Sequence, residues 1–279
     1  MCIVVFRDVA TNMVNDKQSP MHFEVHGLKG ANAPTLVFSS GLGGAAHFWQ
    51  PQIRDLSDTY RIVVYDQLGT GKSPATLPED YTITHMAKEL RTLLVHLDIK
   101  QCHIVGHALG GLVGLALAST HPALVQSLVL INAWSSPNPH TLRCFNIRKA
   151  ILAAGNKDIY LQMQALLLYP ADWIAANAEH LSQEEAHQLR HFPNEHNLLM
   201  RIGALSAFNI EAQLADIHTP TLAIANKDDV LVPWQRSKIL VSHMPNAELA
   251  LMEYGGHAST ITATSEFNNI LRERLSQLA

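Results

Sequence analysis

The chain has 279 residues, 47% hydrophobic and 16% charged, with a formal net charge of −4. That is the composition of a folded globular protein with a sizeable core; it excludes a disordered chain and carries no basic footprint for nucleic acid or an anionic membrane. No apolar run is long enough to span a bilayer, and the segment Met1 to Arg7 is apolar too briefly for a secretory signal.

Residues 1–20 are expected to form a leader, with the compact domain starting near Met21. Thr35–Ser40 is a short apolar run ending at glycines, and Arg61–Asp66 is a second. Ile83, Met86, Ala87, Leu90, Leu93, Leu94 and Leu97 recur at three and four residues, the period of an amphipathic helix. Cys102–Gly106 is a third apolar run, and Leu109–Ser119 is apolar nearly all round, as a buried central helix is. Ser127–Asn132 follows. Between about Trp134 and Leu214 the alternation stops and only helical periods remain, punctuated by Pro170 and Pro193, with Ser182-Gln-Glu-Glu185 as a capping-box helix start. Thr221–Asn226 after Pro220, Glu248–Met252, and a last helix through Phe267, Ile270, Leu271 and Leu275 complete the set. Short continuous apolar runs read as strands buried on both faces, and their alternation with helices predicts an α/β fold with a mostly parallel central sheet flanked by helices. Residues 21–133 and 214–279 form the expected core, and 134–213 an inserted helical lid.

Three cysteines, Cys2, Cys102 and Cys144, show neither a disulfide framework nor zinc spacing. Cys102 reads as a small core residue, and a reducing cytoplasm is the expected compartment. Nothing in the sequence asks for a metal or another cofactor. Asp66–Ser73 looks like a phosphate loop at a glance but lacks the spacing of one, and is read as a structural turn beneath the site.

The chemistry centres on Gly106-His-Ala-Leu-Gly110, at the strand-to-helix turn where serine hydrolases carry G-x-S-x-G. The nucleophile position is Ala108, whose methyl group cannot attack. Asp229 in Asn226–Pro233 and His257 in Tyr254-Gly-Gly-His257 follow in the nucleophile–acid–histidine order, each on a loop after a strand. Asp229 is favoured over Asp228 as the partner of His257, with Asp228 expected to be solvated. His107 is expected to pack or bond locally. Gly106 and Gly110 are assigned to the sharp turn. Ser39–Gly44 follows the first clear parallel strand, so the amides of Leu42 and Leu109 are the candidate oxyanion-hole donors. In the lid, Trp134, Tyr169 and Trp173 are candidate pocket walls. Arg143 and Arg201 are candidates for holding a substrate carboxylate, a surface helix arginine being the alternative for either.

These motifs resemble those of the α/β-hydrolases across residues 30–279. Ser40–Gly44, Tyr65-Asp-Gln67 with Gly69-Thr-Gly71, Gly106–Gly110, His140–Phe145, Leu168–Trp173, Asn197–Leu199 and Tyr254–Ala258 together resemble the branch that serves bacterial pyrimidine utilisation. The lid segments are the specific part of that likeness, and alanine at the elbow belongs to the branch. Leu68 departs from the superfamily, where arginine is common in this loop. The resemblance implies hydrolysis of a small unstable intermediate of uracil breakdown, carbamate or 3-aminoacrylate, with release of ammonia. His257, oriented by Asp229, would then activate water directly. A non-catalytic small-molecule-binding protein on the same fold, or a nucleophile-free lyase, are the alternatives. The expected partner is a small-molecule substrate, with no nucleic acid and no membrane, and a homodimer is plausible from the lid helices.

Overall fold

The computed structural model describes residues 21–30 and 33–278, so the expected leader and Cys2 lie outside the described residues. In chain order its strands are β1 (Phe23–Gly27), β2 (Thr35–Ser39), β3 (Arg61–Tyr65), β4 (Cys102–His107), β5 (Val125–Ile131), β6 (Thr221–Asn226) and β7 (Ala247–Met252). Its α-helices are α1 (Gln50–Leu56), α2 (Ile83–His96), α3 (Leu109–Thr120), α4 (Pro139–Ala153), α5 (Lys157–Leu168), α6 (Ala171–Ala176), α7 (Ala178–Arg190), α8 (Glu195–Ala207), α9 (Gln235–Ser242), α10 (Ser259–Thr262) and α11 (Thr264–Ser276).

The strands form one sheet in the order β1-β3-β2-β4-β5-β6-β7. All neighbours are parallel except β1, which pairs antiparallel with β3. The α/β expectation therefore holds, and β1 is an addition to it. Phe-Glu-Val-His-Gly has no continuous apolar run, because β1 is an edge strand and only partly buried. The runs read as buried on both faces are so in β2, β4 and β6. β7, at the other edge, is half-exposed over most of its length.

Two apolar layers sandwich the sheet. Trp49, Ile53 and Leu56 pack with Phe267, Leu271 and Leu275 of α11 on one face. On the other face α2 and α3 pack with the helices that follow β5. α2 starts where Thr82 and His85 cap each other, and it buries Ile83, Met86, Ala87, Leu90, Leu93 and Leu94, the stripe that its periodicity predicts. α3 is buried from Leu109 to Ala118. No helix among the described residues is long and apolar enough to cross a membrane.

Between β5 and β6 the chain runs through α4 to α8 without a strand. One expectation fails here. Ser182 does not open a helix; it lies inside α7, which begins at Ala178 after Asn177. Ala178, Glu179 and Leu181 are good helix formers, so the helix propagates back past the candidate cap. α8 is welded to the core rather than laid over it. Asn197, buried, donates to the Gly69 and Ala75 carbonyls and accepts from the Leu77 amide, while His196 bonds the Leu77 carbonyl.

The order of the strands places the site. The chain leaves β2 toward β3 on one side, and leaves β4 toward β5 on the other. A crevice therefore opens at the carboxyl ends of β2 and β4, where ligands settle in open α/β sheets.

Candidate active site

The turn from β4 into α3 is strained at one residue. Ala108 has φ 45° and ψ −108°, a conformation that costs an L-residue about 1–3 kcal/mol. It is held by its amide donating to the Ile131 carbonyl at 2.8 Å and its carbonyl accepting from Leu112. The flanking glycines do what the sequence reading assigned them, letting the chain turn without a Cβ clash. Neither has a positive φ. They permit close approach: a Cβ on Gly110 would stand 2.0 Å from the Ser39 carbonyl oxygen, and one on Gly106 2.5 Å from the backbone of Gly110 and Gly111. The N-terminus of α3 is thereby pressed against the end of β2. The Leu42 and Leu109 amides flank this junction, and neither donates to an acceptor among the described residues. An amide in the first turn of a helix has no partner within that helix, and such donors are suited to developing negative charge.

Residues 66–73 form the buttress under the Ser40–Gly44 loop. Asp66 accepts from the amides of Ala46 and Lys72, and Gln67, buried, donates from its side chain to the Ser40 carbonyl at 2.8 Å. Gly44 and Gly71 have positive φ, and a Cβ on Gly71 would meet the Asp66 carboxylate at 2.5 Å. Gln67 is a positioning residue that the sequence reading passed over.

His257 lies in a 3₁₀ turn after β7. Its Nδ1–H donates to Asp229 Oδ2 at 2.7 Å, and both side chains are almost wholly buried. The other carboxylate oxygen of Asp229 accepts the amides of Leu231 and Val232, at 2.8 and 2.9 Å. With Nδ1 occupied and Asp229 fixed, Nε2 of His257 is left as the free nitrogen of the ring. The backbone of His257 is held as firmly. Its carbonyl accepts from His107 Nε2 at 2.7 Å and from Asn132 Nδ2 at 2.9 Å. The His107 ring, 4.8 Å from that of His257 and 5.0 Å from that of Phe48, joins the elbow directly to the histidine loop. Burial, with the His257 charge second, pushes its pKa down to about 3, so it is a neutral Nε2–H donor.

Asp228 is not solvated as expected. Its carboxylate accepts the amides of Gly255 and Gly256, at 3.0 and 2.9 Å. Two acids adjacent in sequence both act on the His257 segment, one on its backbone and one on its ring, a role invisible without the partner backbone.

The helices after β5 cover this site. Thr141 of α4 donates to the Leu231 carbonyl at 3.1 Å, and His140 Nε2 donates to Val230 O. A Cβ on Gly256 would stand 2.8 Å from the Leu168 carbonyl at the end of α5. Cys144 is buried near Asp229. Burial first, and that carboxylate third, raise its pKa, while the Arg148 guanidinium opposes them. Its neighbour His140 already spends its Nε2–H on Val230, so nothing there activates the thiol as a substitute nucleophile.

Of the expected pocket walls, Trp134 is buried, 6.2 Å from the Phe145 ring, with its indole N–H unpartnered among the described residues. The Tyr169 and Trp173 rings lie 4.6 Å apart, tilted to each other, and are half-buried beside the Gly256 turn. The two arginines differ. Arg143 is on the exposed side of α4, where it donates to the Pro139 carbonyl one turn back, because the inward stripe of this helix is Thr141, Cys144, Phe145, Arg148 and Leu152. Arg201 is buried but engaged. It donates to the Leu68 carbonyl at 2.6 Å, and burial lowers its pKa against the opposing pull of Tyr81 and Glu89. It takes up the loop where the superfamily often has its own arginine at position 68. Among the described residues no group of three or more His, Cys, Asp or Glu is placed to hold a metal ion.

Comparison with known proteins agrees with this geometry. The alpha/beta hydrolase fold family matches residues 34–161. A protein of Stutzerimonas stutzeri (strain A1501) named "Putative carbamate hydrolase RutD" is 59% identical over 257 residues, 92% of this chain and 97% of its own length. A protein of the same name from Serratia proteamaculans (strain 568) is 47% identical over 90% of this chain and 94% of its own length. Among solved structures, MGS-M2, an alpha/beta hydrolase enzyme from a Medee basin deep-sea metagenome library, superposes with a TM-score of 0.84 at 23% identity, covering 90% of this chain and 92% of that one. A hydrolase from Pseudomonas aeruginosa PA01 gives 0.82 at 25% identity, covering 91% and 94%. A sheet with its crevice between β2 and β4, an elbow at residue 108, a buried histidine–aspartate pair and relatives matching nearly end to end all agree: the chain belongs to the RutD family of α/β-hydrolases.

Proposed function

We propose that this hydrolase acts in pyrimidine utilisation and breaks the carbon–nitrogen bond of carbamate, with water as the nucleophile. The observation that carries the reading is the His257–Asp229 pair joined through His107 to an elbow that bears alanine. The names of the relatives supply the substrate class. His257 Nε2 takes a proton from water as the water oxygen bonds to the carbamate carbon, and the Leu42 and Leu109 amides receive the charge that develops on oxygen. The carbon–nitrogen bond then breaks as His257 returns the proton to nitrogen. H₂N–CO₂⁻ and H₂O become NH₃ and HCO₃⁻, and no covalent enzyme intermediate forms.

Without its nucleophile a serine hydrolase keeps only about 10³–10⁴ over water, from the oxyanion hole and binding. That is too little for a stable amide and sufficient for a compound that decomposes unaided. The test is timed ammonia release from freshly generated carbamate, with and without protein, beside the His257→Ala variant. Acceleration that vanishes in the variant supports the reading; release at the spontaneous rate with the unaltered protein refutes it. Acceleration with 3-aminoacrylate in place of carbamate moves the substrate and keeps the mechanism's acid–base pair.

A further inference from the structure

The helices over the site hold a guanidinium that no carboxylate pairs with among the described residues. Arg148 of α4 is 3% exposed. Its Nη2 donates to Gln164 Oε1 of α5 at 3.2 Å, and its guanidinium carbon stands 5.4 Å from the centre of the Tyr160 ring. Its Nε has no acceptor among the described residues, and no carboxylate among them pairs with it. The Tyr160 hydroxyl, equally buried, also lacks a partner. Buried donors and charges are normally satisfied, and a buried guanidinium facing no anion is a costly arrangement unless an anion arrives.

Two helices fix where this group stands. On α4, Cys144 precedes Arg148 by one turn, and its thiol feels both the Arg148 guanidinium and the Asp229 carboxylate. On α5, Gln164 precedes by one turn Leu168, whose carbonyl lies against Gly256. The Arg148–Gln164 layer therefore sits about 6 Å, one helical turn, beyond the layer that touches Asp229 and the His257 turn. The other buried arginine, Arg201, also leaves its Nε without an acceptor among the described residues, but its Nη2 donates to the Leu68 carbonyl and the Glu89 carboxylate acts on its charge from a distance.

We infer that Arg148 is the receptor for the substrate's CO₂⁻ group, with the Tyr160 hydroxyl as a second donor. This rests on the reading of the site as one for a small anionic substrate, and it supplies what that chemistry requires. Attack on the carbon of an anion builds a second negative charge, which a fixed planar cation offsets. A guanidinium meets CO₂⁻ through two parallel N–H bonds, which an ammonium cannot reproduce.

The experiment is calorimetric titration with two unreactive probes: bicarbonate, which has the size and shape of carbamate, and acrylate, whose carboxylate is carried on a carbon chain. The unaltered protein and His257→Ala are expected to bind at least one of them. Arg148→Gln is expected to weaken that binding about tenfold or more, and Tyr160→Phe by less. Arg148→Lys keeps the charge without the fork and should fall between, and the melting curve of each variant separates lost binding from lost fold. Tighter bicarbonate assigns the group to carbamate, and tighter acrylate to a carbon-chain acid. Equal binding by Arg148→Gln, or no binding of either probe by the unaltered protein, overturns the inference. Arg148-dependent binding with no acceleration of ammonia release leaves the receptor standing and removes the proposed hydrolysis instead.

Discussion

Asp228 and Asp229 divide the holding of His257 between them: the first grips its turn through the Gly255 and Gly256 amides, the second grips its ring through Nδ1. The division predicts different consequences for the same substitution. Asp229→Asn should fold nearly as well and lose about 10²–10⁴ of the rate above the spontaneous background, since the carboxamide neither enforces the tautomer nor stabilises the imidazolium. Asp228→Asn leaves one acceptor oxygen for two amides. It should cost about 1–3 kcal/mol of stability and lower activity only as far as the turn shifts. Urea denaturation beside ammonia release separates the two. Equal effects on stability and rate in both variants would refute the division.

Ala108 combines a strained backbone with an absent nucleophile, and each half can be altered. Ala108→Gly removes the penalty of φ 45° and should raise stability by about 1 kcal/mol after the entropic cost of glycine. Ala108→Ser puts a hydroxyl on the turn beside His107, whose ring bonds the His257 carbonyl, so an activated ester such as p-nitrophenyl acetate should give a burst of nitrophenol. The burst should vanish when His257→Ala is added. A serine variant without a burst would show that the elbow and the histidine are not in register.

The sheet was legible because burial on both faces leaves a mark in sequence: Leu36-Val-Phe38 and Leu222-Ala-Ile-Ala225 admit no polar residue. β1 left no such mark, because half of an edge strand is exposed. The elbow, Asp229 and His257 were legible as motifs, since each must follow a strand. The roles of Asp228, Gln67 and Asn132 were not, because each bonds backbone from a distant segment and such bonds do not restrict the distant sequence. Arg148 was within reach. Thr141, Cys144, Phe145 and Leu152 share one helical stripe, and phasing α4 on them puts Arg148 inside and Arg143 outside.

Half-buried Glu89 and buried His107 tilt stability in opposite directions with pH. Glu89, bonded by the Tyr81 hydroxyl at 2.7 Å, is pushed up to about 7 from 4.5, chiefly by burial. Between those values the folded chain keeps a proton that the unfolded chain has released. The contribution of Glu89 is therefore greatest below about 4.5 and is lost as the pH rises through 7. His107 is pushed down to about 3 from 6.5, so below 6.5 the unfolded chain takes up a proton that the folded chain refuses. Its contribution is complete above 6.5 and is lost as the pH falls toward 3. From 4.5 to 6.5 the two slopes oppose each other, each at most about 1.4 kcal/mol per pH unit. Glu89→Gln removes the gain on acidification, so its stability should fall more steeply than that of the unaltered protein as the pH drops through this window. His107→Gln, whose amide can still donate to the His257 carbonyl, removes the loss and should fall less steeply or rise. Urea denaturation across the window reads both slopes, and a change of the same sign in the two variants would reverse one of these proton assignments.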